Sequence, residues 1–189
     1  MKLSETAAKM NLFSLVTDKT KVYDLVLVIS FAILTAVSAQ IAIPIKPIPI
    51  TLQTLAVILA GAVLGAKKGA YSQVLYLGLG LTGLPVFAAV PDGLLGLARL
   101  IGPTGGFLLA FPLGAYITGK IIEKNGSIFN ASIAMFTGQV AIIILGSIYF
   151  DLLYFQSLEQ TLKAALIIFS IPTLVKVVLG VGILKLIKK

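Results

Sequence analysis

Lys176 is the residue whose position most strongly suggests chemistry, because it lies inside an apolar run over residues 164–184. A charged side chain near the centre of a membrane span costs roughly 3 kcal/mol to insert, and it usually faces a cavity or a partner. Ser170, Thr173 and Lys176 follow one another at a spacing of three, which predicts one polar face on an apolar helix. Apolar walls with a few hydrogen-bonding groups and one cation suit a small amphipathic acid. The sequence therefore predicts a binding site around Lys176.

Few residues are available for catalysis. The chain has no histidine and no cysteine, which removes the usual general base, the common metal ligands and a thiol nucleophile. The seven aspartates and glutamates form no close pair of the kind that acid–base or metal chemistry uses. The chain is therefore predicted not to be an enzyme and to carry neither a metal nor a cofactor.

Two glycine patterns look like nucleotide sites but lack the required context. The G-x-G-x-x-G pattern that begins at Gly78 falls inside an apolar span, without the strand and turn that a dinucleotide site needs. Gly119 and Lys120 resemble the end of a phosphate loop, but Ile121 stands where a serine or threonine must bind magnesium. Any ATP-driven work would therefore need a separate partner.

Composition indicates that helices in a membrane position these residues. Hydrophobic residues make up 58% of the 189 residues and charged residues 12%, and the mean hydropathy is +1.06. Six apolar segments predict six spans, at residues 25–43, 50–66, 69–89, 104–122, 128–150 and 164–184. Residues 1–24 would form a cytoplasmic segment with a short interfacial helix over residues 4–16. Residues 25–189 would form one compact all-α bundle of six transmembrane helices.

The basic residues predict the orientation, since lysine and arginine collect in cytoplasmic segments. Eleven lysines fall in both termini and the even-numbered loops, at positions 2, 9, 19, 21, 67, 68, 120, 124, 185, 188 and 189. Only Lys46, Arg99 and Lys163 fall on the opposite side. Both termini should therefore be cytoplasmic in a plasma-membrane protein. The net charge of +8 reflects this topology and not a nucleic-acid surface, because no basic stripe with interleaved aromatic residues is present.

Irregular and polar features collect in the outward half. Three prolines stiffen the first outer loop, at positions 44, 47 and 49. Thr51 and Gln53 follow this loop, and the second outer loop contains Arg99 and a glycine-rich run with Thr104 and Gly105, where backbone can approach a ligand closely. Tight turns that only pack the bundle explain these loops about equally well.

Four segments together resemble one known family. They are PITLQTLAV at 49–57, GLPVF at 83–87, GPTGGF at 102–107 and PTLVK at 172–176. Over residues 25–187 the chain resembles the BioY family, the biotin-binding S components of energy-coupling factor (ECF) transporters. The resemblance implies six transmembrane helices, biotin binding from outside, and work with a transmembrane coupling protein and a pair of cytoplasmic ATPases. Such partners would explain the missing phosphate loop.

The resemblance also implies roles for individual residues. Lys176 matches the lysine of the family's last-helix motif, Asp-x-x-Lys, but Thr173 stands where the family usually has the aspartate. Asp151 is a candidate replacement for that carboxylate, and Arg99 matches the family's loop arginine. Arg99 or Lys176 is expected to neutralise the biotin carboxylate, a choice that the sequence leaves open.

Other parts of biotin would meet other residues. Thr51, Gln53 and Thr173 are expected to meet the ureido ring, and Phe87 with the proline loop is expected to cover the apolar ring.

A small-residue face on the first span suggests where a partner could dock. Ala32 and Ala36 make such a face, and in the resembling family an alanine pair on the first helix is implicated in docking to the coupling protein. Internal packing against neighbouring helices is the alternative. The outer surface of the bundle would contact membrane lipid.

Two other functions remain open at this point. A stand-alone secondary carrier of a small organic acid could use the same cation, although no carboxylate lies well inside a span and no repeat between the halves is visible. A purely structural protein would need neither Lys176 nor the glycine-rich loop.

Overall fold

The computed structural model describes residues 2–45, 48–88, 93–154 and 157–187, and for residues 2–19 it describes the backbone alone. The described residues form eight helices and two short strands. In chain order these are α1 (Lys2–Ala39), β1 (Ala42–Ile43), β2 (Ile50–Thr51), α2 (Gln53–Leu64), α3 (Ala66–Leu81), α4 (Gly96–Ile101), α5 (Gly105–Leu109), α6 (Phe111–Lys124), α7 (Ile128–Tyr154) and α8 (Leu158–Ile187).

The prediction of an all-α membrane protein is confirmed. In the described part of the chain, four helical stretches are long and apolar enough to cross a bilayer: Thr20–Ala39, Gly105–Lys124, Ile128–Tyr154 and Leu158–Ile187. The other two predicted spans contain α2, with 12 residues, and α3, with 16 residues. Both are shorter than the approximately 20 residues that a bilayer core of about 30 Å requires of a helix.

Several predicted boundaries were wrong, each for a local reason. The segment 4–16 is helical but belongs to α1, which continues to Ala39. The third predicted span ends at Leu81 because Gly83 has a positive φ of 88° and Pro85 follows it. The fourth predicted span is interrupted between α5 and α6, where Pro112 lies in the first turn of α6 and has no N–H to donate. The last helix begins at Leu158, six residues before the predicted residue 164.

The first outer loop forms a small hairpin that an all-helical prediction did not include. Strands β1 and β2 pair antiparallel, with Ala42 opposite Thr51 and Ile43 opposite Ile50. The strands are two residues each, too short for the alternating pattern that reveals a strand in sequence. The hairpin places Pro49, which is buried, and Thr51 directly before α2.

Helix α2 lies at the centre of the bundle, packed against α1, α3, α6, α7 and α8. Its close approach to α6 depends on glycine, because a Cβ at Gly61 would lie 2.1 Å from the Ala115 carbonyl oxygen. A Cβ at Gly119 of α6 would likewise lie 2.3 Å from the backbone nitrogen of Ala66. Small residues at helix contacts are typical of membrane bundles, where van der Waals packing replaces the hydrophobic effect.

Polar contacts join the beginning of α3 to α1 and to α6 at one end of the bundle. Lys68 at the start of α3 forms a salt bridge of 2.5 Å with Asp24 of α1. Glu123 near the end of α6 accepts a hydrogen bond of 2.8 Å from the backbone N–H of Ala66. The end of α8 lies at this same end of the bundle, since Leu184 belongs to one apolar cluster with Ala131 at the start of α7. The lysines of α3, α6 and α8 that were predicted to be cytoplasmic therefore lie towards the same end of the bundle.

Candidate functional site

A pocket with a cavity volume of about 60 Å³ lies in the opposite half of the bundle. Residues from the hairpin, α2, α4, α5, α6, α7 and α8 line it, together with Ala88 and Thr104 from loops. They are Ile48, Pro49, Thr51, Gln53, Thr54, Ala88, Arg99, Thr104, Phe107, Leu108, Phe111, Gln139, Ile142, Ile143, Phe169, Thr173 and Lys176. The pocket thus gathers residues that are far apart in sequence.

Lys176, which was predicted to face a cavity, lies among the residues that line this pocket. Its side chain is 6% exposed, and its Nζ donates a hydrogen bond of 2.9 Å to Thr54 Oγ1, 122 residues away in the sequence. None of the salt bridges between described residues includes Lys176. A hydroxyl satisfies one of its three N–H groups but does not neutralise its charge.

Only part of the predicted polar face on α8 is correct. Thr173 is buried and lines the pocket with Lys176, and Phe169 lies on the same face. Ser170 is exposed on another face, where its hydroxyl donates to the Ile167 carbonyl at 3.1 Å. Six residues of an α-helix turn through about 600°, so Ser170 points roughly 120° away from Lys176. Residues spaced three apart along a helix are each rotated by about 60° from the last, so the third residue of such a series no longer lies on the same face as the first.

Buried polar atoms of the pocket wall that have no hydrogen-bond partner among the described residues include Gln139 Nε2 and Thr104 Oγ1. Gln139 is 2% exposed and Thr104 is 7% exposed. Buried polar groups are normally paired, so such atoms in a pocket wall mark places where a ligand can supply the partner. Thr104 was predicted to belong to the site and Gln139 was not. The signal for Gln139 was available, since an amide within an apolar span must be satisfied there.

Thr54, the hydrogen-bond partner of Lys176, was also missing from the predicted site. It lies one residue after Gln53 in α2, and both line the pocket. No spacing rule links a threonine on the second span to a lysine on the sixth, so this contact needed the tertiary structure.

Gln53 lines the pocket as predicted, but its amide already has a protein partner. Gln53 Nε2 donates to the hydroxyl of Tyr76, which in turn donates to the Val86 carbonyl at 3.1 Å. Thr51, also at the pocket wall, accepts a hydrogen bond of 3.3 Å from the Gln53 backbone N–H. These bonds hold the beginning of α2 to α3 and to the loop after it.

Phe87 is not at the pocket wall. It packs edge-on against Tyr76, with ring centroids 5.4 Å apart, and its ring lies where a Cβ at Gly80 would fall. Phe87 was expected to cover a ligand, but in this structure its ring packs against Tyr76 and against α3. Three other phenylalanines form the aromatic wall, at positions 107, 111 and 169.

Gly105 also lies behind the wall and not at it. A Cβ there would lie 1.7 Å from the Leu100 carbonyl oxygen, so glycine is needed for the turn between α4 and α5. That turn places Arg99 and Thr104 at the pocket. Arg99 is 3% exposed, and its Nη2 donates to the Ala88 carbonyl at 3.1 Å.

Asp151 does not reach Lys176. It lies eight residues beyond Ile143, the last residue of α7 at the pocket, which corresponds to about 12 Å of helix rise. Its carboxylate accepts a hydrogen bond of 3.2 Å from Thr161 Oγ1 of α8. The expectation that Asp151 replaces the missing aspartate at position 173 was therefore wrong: it joins the outer ends of α7 and α8 instead.

The alanine pair on α1 faces inward. Ala32 is 0% exposed within the main apolar cluster, and the half-buried Ala36 packs against that cluster. Internal packing, the alternative to docking, accounts for Ala32. Large apolar side chains form the exposed face of this helix, including those at positions 25, 26, 29, 33 and 37.

Comparison with known proteins agrees with this architecture. Residues 9–189 match the model of the BioY family. The chain is 35% identical over 159 residues to "Biotin transporter BioY" of Thermotoga maritima, an alignment covering 84% of this chain and 92% of that protein. It is 48% identical over 99 residues to "Probable biotin transporter BioY" of Pyrococcus horikoshii, covering 52% of this chain but only 59% of that protein.

A solved structure has the same fold. It is the crystal structure at 2.1 Å of the S-component for biotin from an ECF-type ABC transporter. It superposes with a TM-score of 0.81 at 28% sequence identity, over 90% of this chain and 94% of that one.

Proposed function

Because the chain belongs to the BioY family, we propose that it binds biotin in the pocket around Lys176 and serves as the substrate-specific component of an ECF transporter. The relatives are named as transporters, and the chain is not an enzyme but a multi-pass protein of the plasma membrane. The observation that carries the proposal is a buried ammonium paired with a neutral hydroxyl at the wall of a largely apolar pocket.

Biotin combines a carboxylate, a polar ureido ring and an apolar sulfur-containing ring. We assign the carboxylate to Lys176, because the described partner of its Nζ is the uncharged Thr54 hydroxyl. An anionic ligand would form a charge-assisted hydrogen bond with this ammonium, which is stronger than a neutral one. Arg99 is the second cation at the wall and the alternative carboxylate partner.

The ureido ring has one carbonyl acceptor and two N–H donors. Gln139 Nε2 can donate to the carbonyl, and Thr104 Oγ1 can accept from an N–H; neither atom has a hydrogen-bond partner among the described residues. Thr173 and Thr51 offer further hydroxyl groups at the wall. The sulfur-containing ring would pack against the three wall phenylalanines and Ile142.

Direct binding tests this function. Purified chain in detergent is expected to bind biotin at submicromolar concentration, an affinity that corresponds to more than about 8 kcal/mol. Liposomes containing the chain together with a coupling protein and ATPases should accumulate biotin in an ATP-dependent way, whereas liposomes with the chain alone should not. Absence of binding at micromolar biotin would refute the assignment of the pocket. Accumulation by the chain alone would favour a stand-alone carrier.

We further propose that six segments cross the membrane and that both termini are cytoplasmic. The proposal is supported by the location of the lysines towards one end of the bundle. At that end, the Lys68–Asp24 salt bridge joins α3 to α1. Helices α2 and α3 are short, but each is joined at the pocket end to non-helical chain: the hairpin precedes α2, and residues 82–88 follow α3. Large exposed side chains would contact lipid, among them Ile167, which is 77% exposed.

Labelling of single cysteines tests this topology, because the chain has no cysteine of its own. Five exposed positions lie between successive spans, and cysteine would be introduced at each in turn: Ile41, Lys67, Thr82, Ser127 and Leu158. An impermeant maleimide added to whole cells should label the variants at 41, 82 and 158, and should label those at 67 and 127 only after permeabilisation. External labelling at position 67 would mean that α2 and α3 do not cross.

A further inference from the structure

A second and larger cavity, of about 600 Å³, lies between the end of α7 and the beginning of α8. Its lining is mostly apolar and aromatic, with a few polar groups. The residues are Ile48, Pro103, Ser147, Phe150, Tyr154, Gln160, Thr161, Ala164, Ala165, Ile168 and Phe169. Gln160 and Ala164 are exposed, and Tyr154 is 45% exposed. These residues mark the side on which the cavity meets the outside of the bundle.

The two cavities share a wall. Ile48 and Phe169 line both the pocket around Lys176 and the second cavity. The Phe169 ring lies 5.9 Å from the Phe107 ring, between centroids, and is tilted to it by 48°. Movement of one aromatic side chain and one isoleucine would therefore join the cavities into a continuous path.

The backbone that carries Phe169 is weakened at this point. Pro172 lies inside α8 and has no N–H to donate to the Ile168 carbonyl four residues earlier. One hydrogen bond of the helix is therefore absent in the turn that contains Phe169. Proline within a helix is a common site of bending, so this turn can move more easily than its neighbours.

The second cavity also carries a polar atom that needs a partner. Ser147 is 1% exposed and lines the cavity, and its hydroxyl oxygen has no hydrogen-bond partner in the described part of the chain. A single hydroxyl within aromatic and aliphatic walls would hold an amphipathic molecule weakly. None of the described lining residues is charged, in contrast to the pocket with Lys176 and Arg99. A ligand would therefore bind weakly in this cavity and could pass through it.

We infer that the cavity between α7 and α8 is an access vestibule, through which the small amphipathic acid reaches the pocket by displacement of Phe169 and Ile48. The inference rests on the proposed function, since biotin is the molecule that would pass. A vestibule on the path must alter the rates of binding and release equally, because it does not change the energy of either end state.

A blocking group attached at the mouth tests the vestibule. Ala164→Cys introduces the chain's only thiol at an exposed lining position, and a bulky methanethiosulfonate reagent can be attached to the folded protein and removed by reduction. Ile167→Cys is the matched control on the same helix, 77% exposed and outside the lining residues. Rates of biotin association and dissociation would be measured by rapid filtration with radiolabelled biotin.

Modification of Ala164→Cys is expected to slow association and dissociation by about tenfold each, with Kd unchanged within about twofold, and reduction should restore both rates. Modified Ile167→Cys should keep the rates of the unmodified protein. Unchanged rates after complete modification of Ala164→Cys would overturn the vestibule while leaving biotin binding intact. A weaker Kd with unchanged association would overturn it by making the cavity part of the binding site. Failure of the unmodified chain to bind biotin would instead overturn the proposed function.

Discussion

Lys176→Met is expected to weaken biotin binding by about 4 kcal/mol, roughly a thousandfold in Kd. The lysine is buried, and the partner that its Nζ has among the described residues is the neutral Thr54 hydroxyl. Without the ammonium, the biotin carboxylate would have to leave water for an apolar pocket without charge compensation. Methionine keeps a long, unbranched side chain of similar shape. The loss of biotin affinity would therefore result from removal of the charge and not from an empty space in the pocket. Equilibrium binding of radiolabelled biotin to purified protein measures it.

Biotin amide separates the role of the charge from a general disturbance of the pocket. The amide lacks the negative charge, so Lys176→Met should cost far less binding energy with this ligand. Equal losses for biotin and its amide would remove the assignment of the carboxylate to Lys176. Arg99→Met, measured in parallel, would show the selective loss instead if Arg99 is the carboxylate partner.

Thr54→Val is the matched variant for the hydrogen bond alone. It keeps the side-chain shape and the lysine charge but removes the hydroxyl that accepts from Lys176 Nζ at 2.9 Å. A net hydrogen bond contributes about 1 kcal/mol, so the expected loss of biotin affinity is roughly fivefold. A loss as large as that of Lys176→Met would mean that threonine contacts biotin itself.

Gly119→Ala is expected to destabilise the folded bundle by about 3 kcal/mol or more, with a large fall in the temperature at which it unfolds. The added Cβ would lie 2.3 Å from the Ala66 nitrogen and 2.5 Å from the Gly65 carbonyl carbon. Both are backbone atoms, which cannot move aside as a flexible side chain can. Helix α6 would have to separate from the α2–α3 turn, where Gly65 has a positive φ of 82°.

Gly182→Ala is the control for this effect, because a Cβ there meets nothing within 4 Å. Alanine favours the helix by up to about 1 kcal/mol over glycine, so this variant should be as stable as the parent or slightly more so. Heating detergent-solubilised protein and measuring the fraction that elutes as monodisperse protein gives the two midpoints. Similar midpoints for the two variants would show that α6 and α3 do not pack as closely as described.

Much of the architecture was predictable because it depends on composition and on local rules. Long apolar segments indicated membrane helices, and α7 and α8 contain the two spans that were predicted there, although both helices are longer than those spans. The ends of α3 and the break before α6 were not predicted, although Gly83 and Pro112 supply the local reasons. The hairpin beside the pocket escaped prediction because strands of two residues carry no periodic signal.

The site was predictable only in part. Lys176, Arg99, Thr51, Gln53, Thr104 and Thr173 were expected at the site and line the pocket. Phe87, Gly105 and Asp151 were expected there too, but they support or join other elements. Thr54 and Gln139 line the pocket and were missed. A residue type and a spacing indicate that a side chain can act, but they do not indicate what it faces.

The sequence by itself determined that the chain lies in a membrane, that it has neither histidine nor cysteine for catalysis, and that a buried lysine on the last helix needs a compensating partner. These conclusions depend on residue types and on the energetic cost of burying them, which every arrangement of the helices must satisfy. Only the tertiary structure decided that Thr54 is that lysine's described partner, that Asp151 is too far away, and that Phe169 separates two cavities. Contacts between residues more than a hundred positions apart depend on how the helices rotate and pack, and single-sequence periodicity does not specify that rotation.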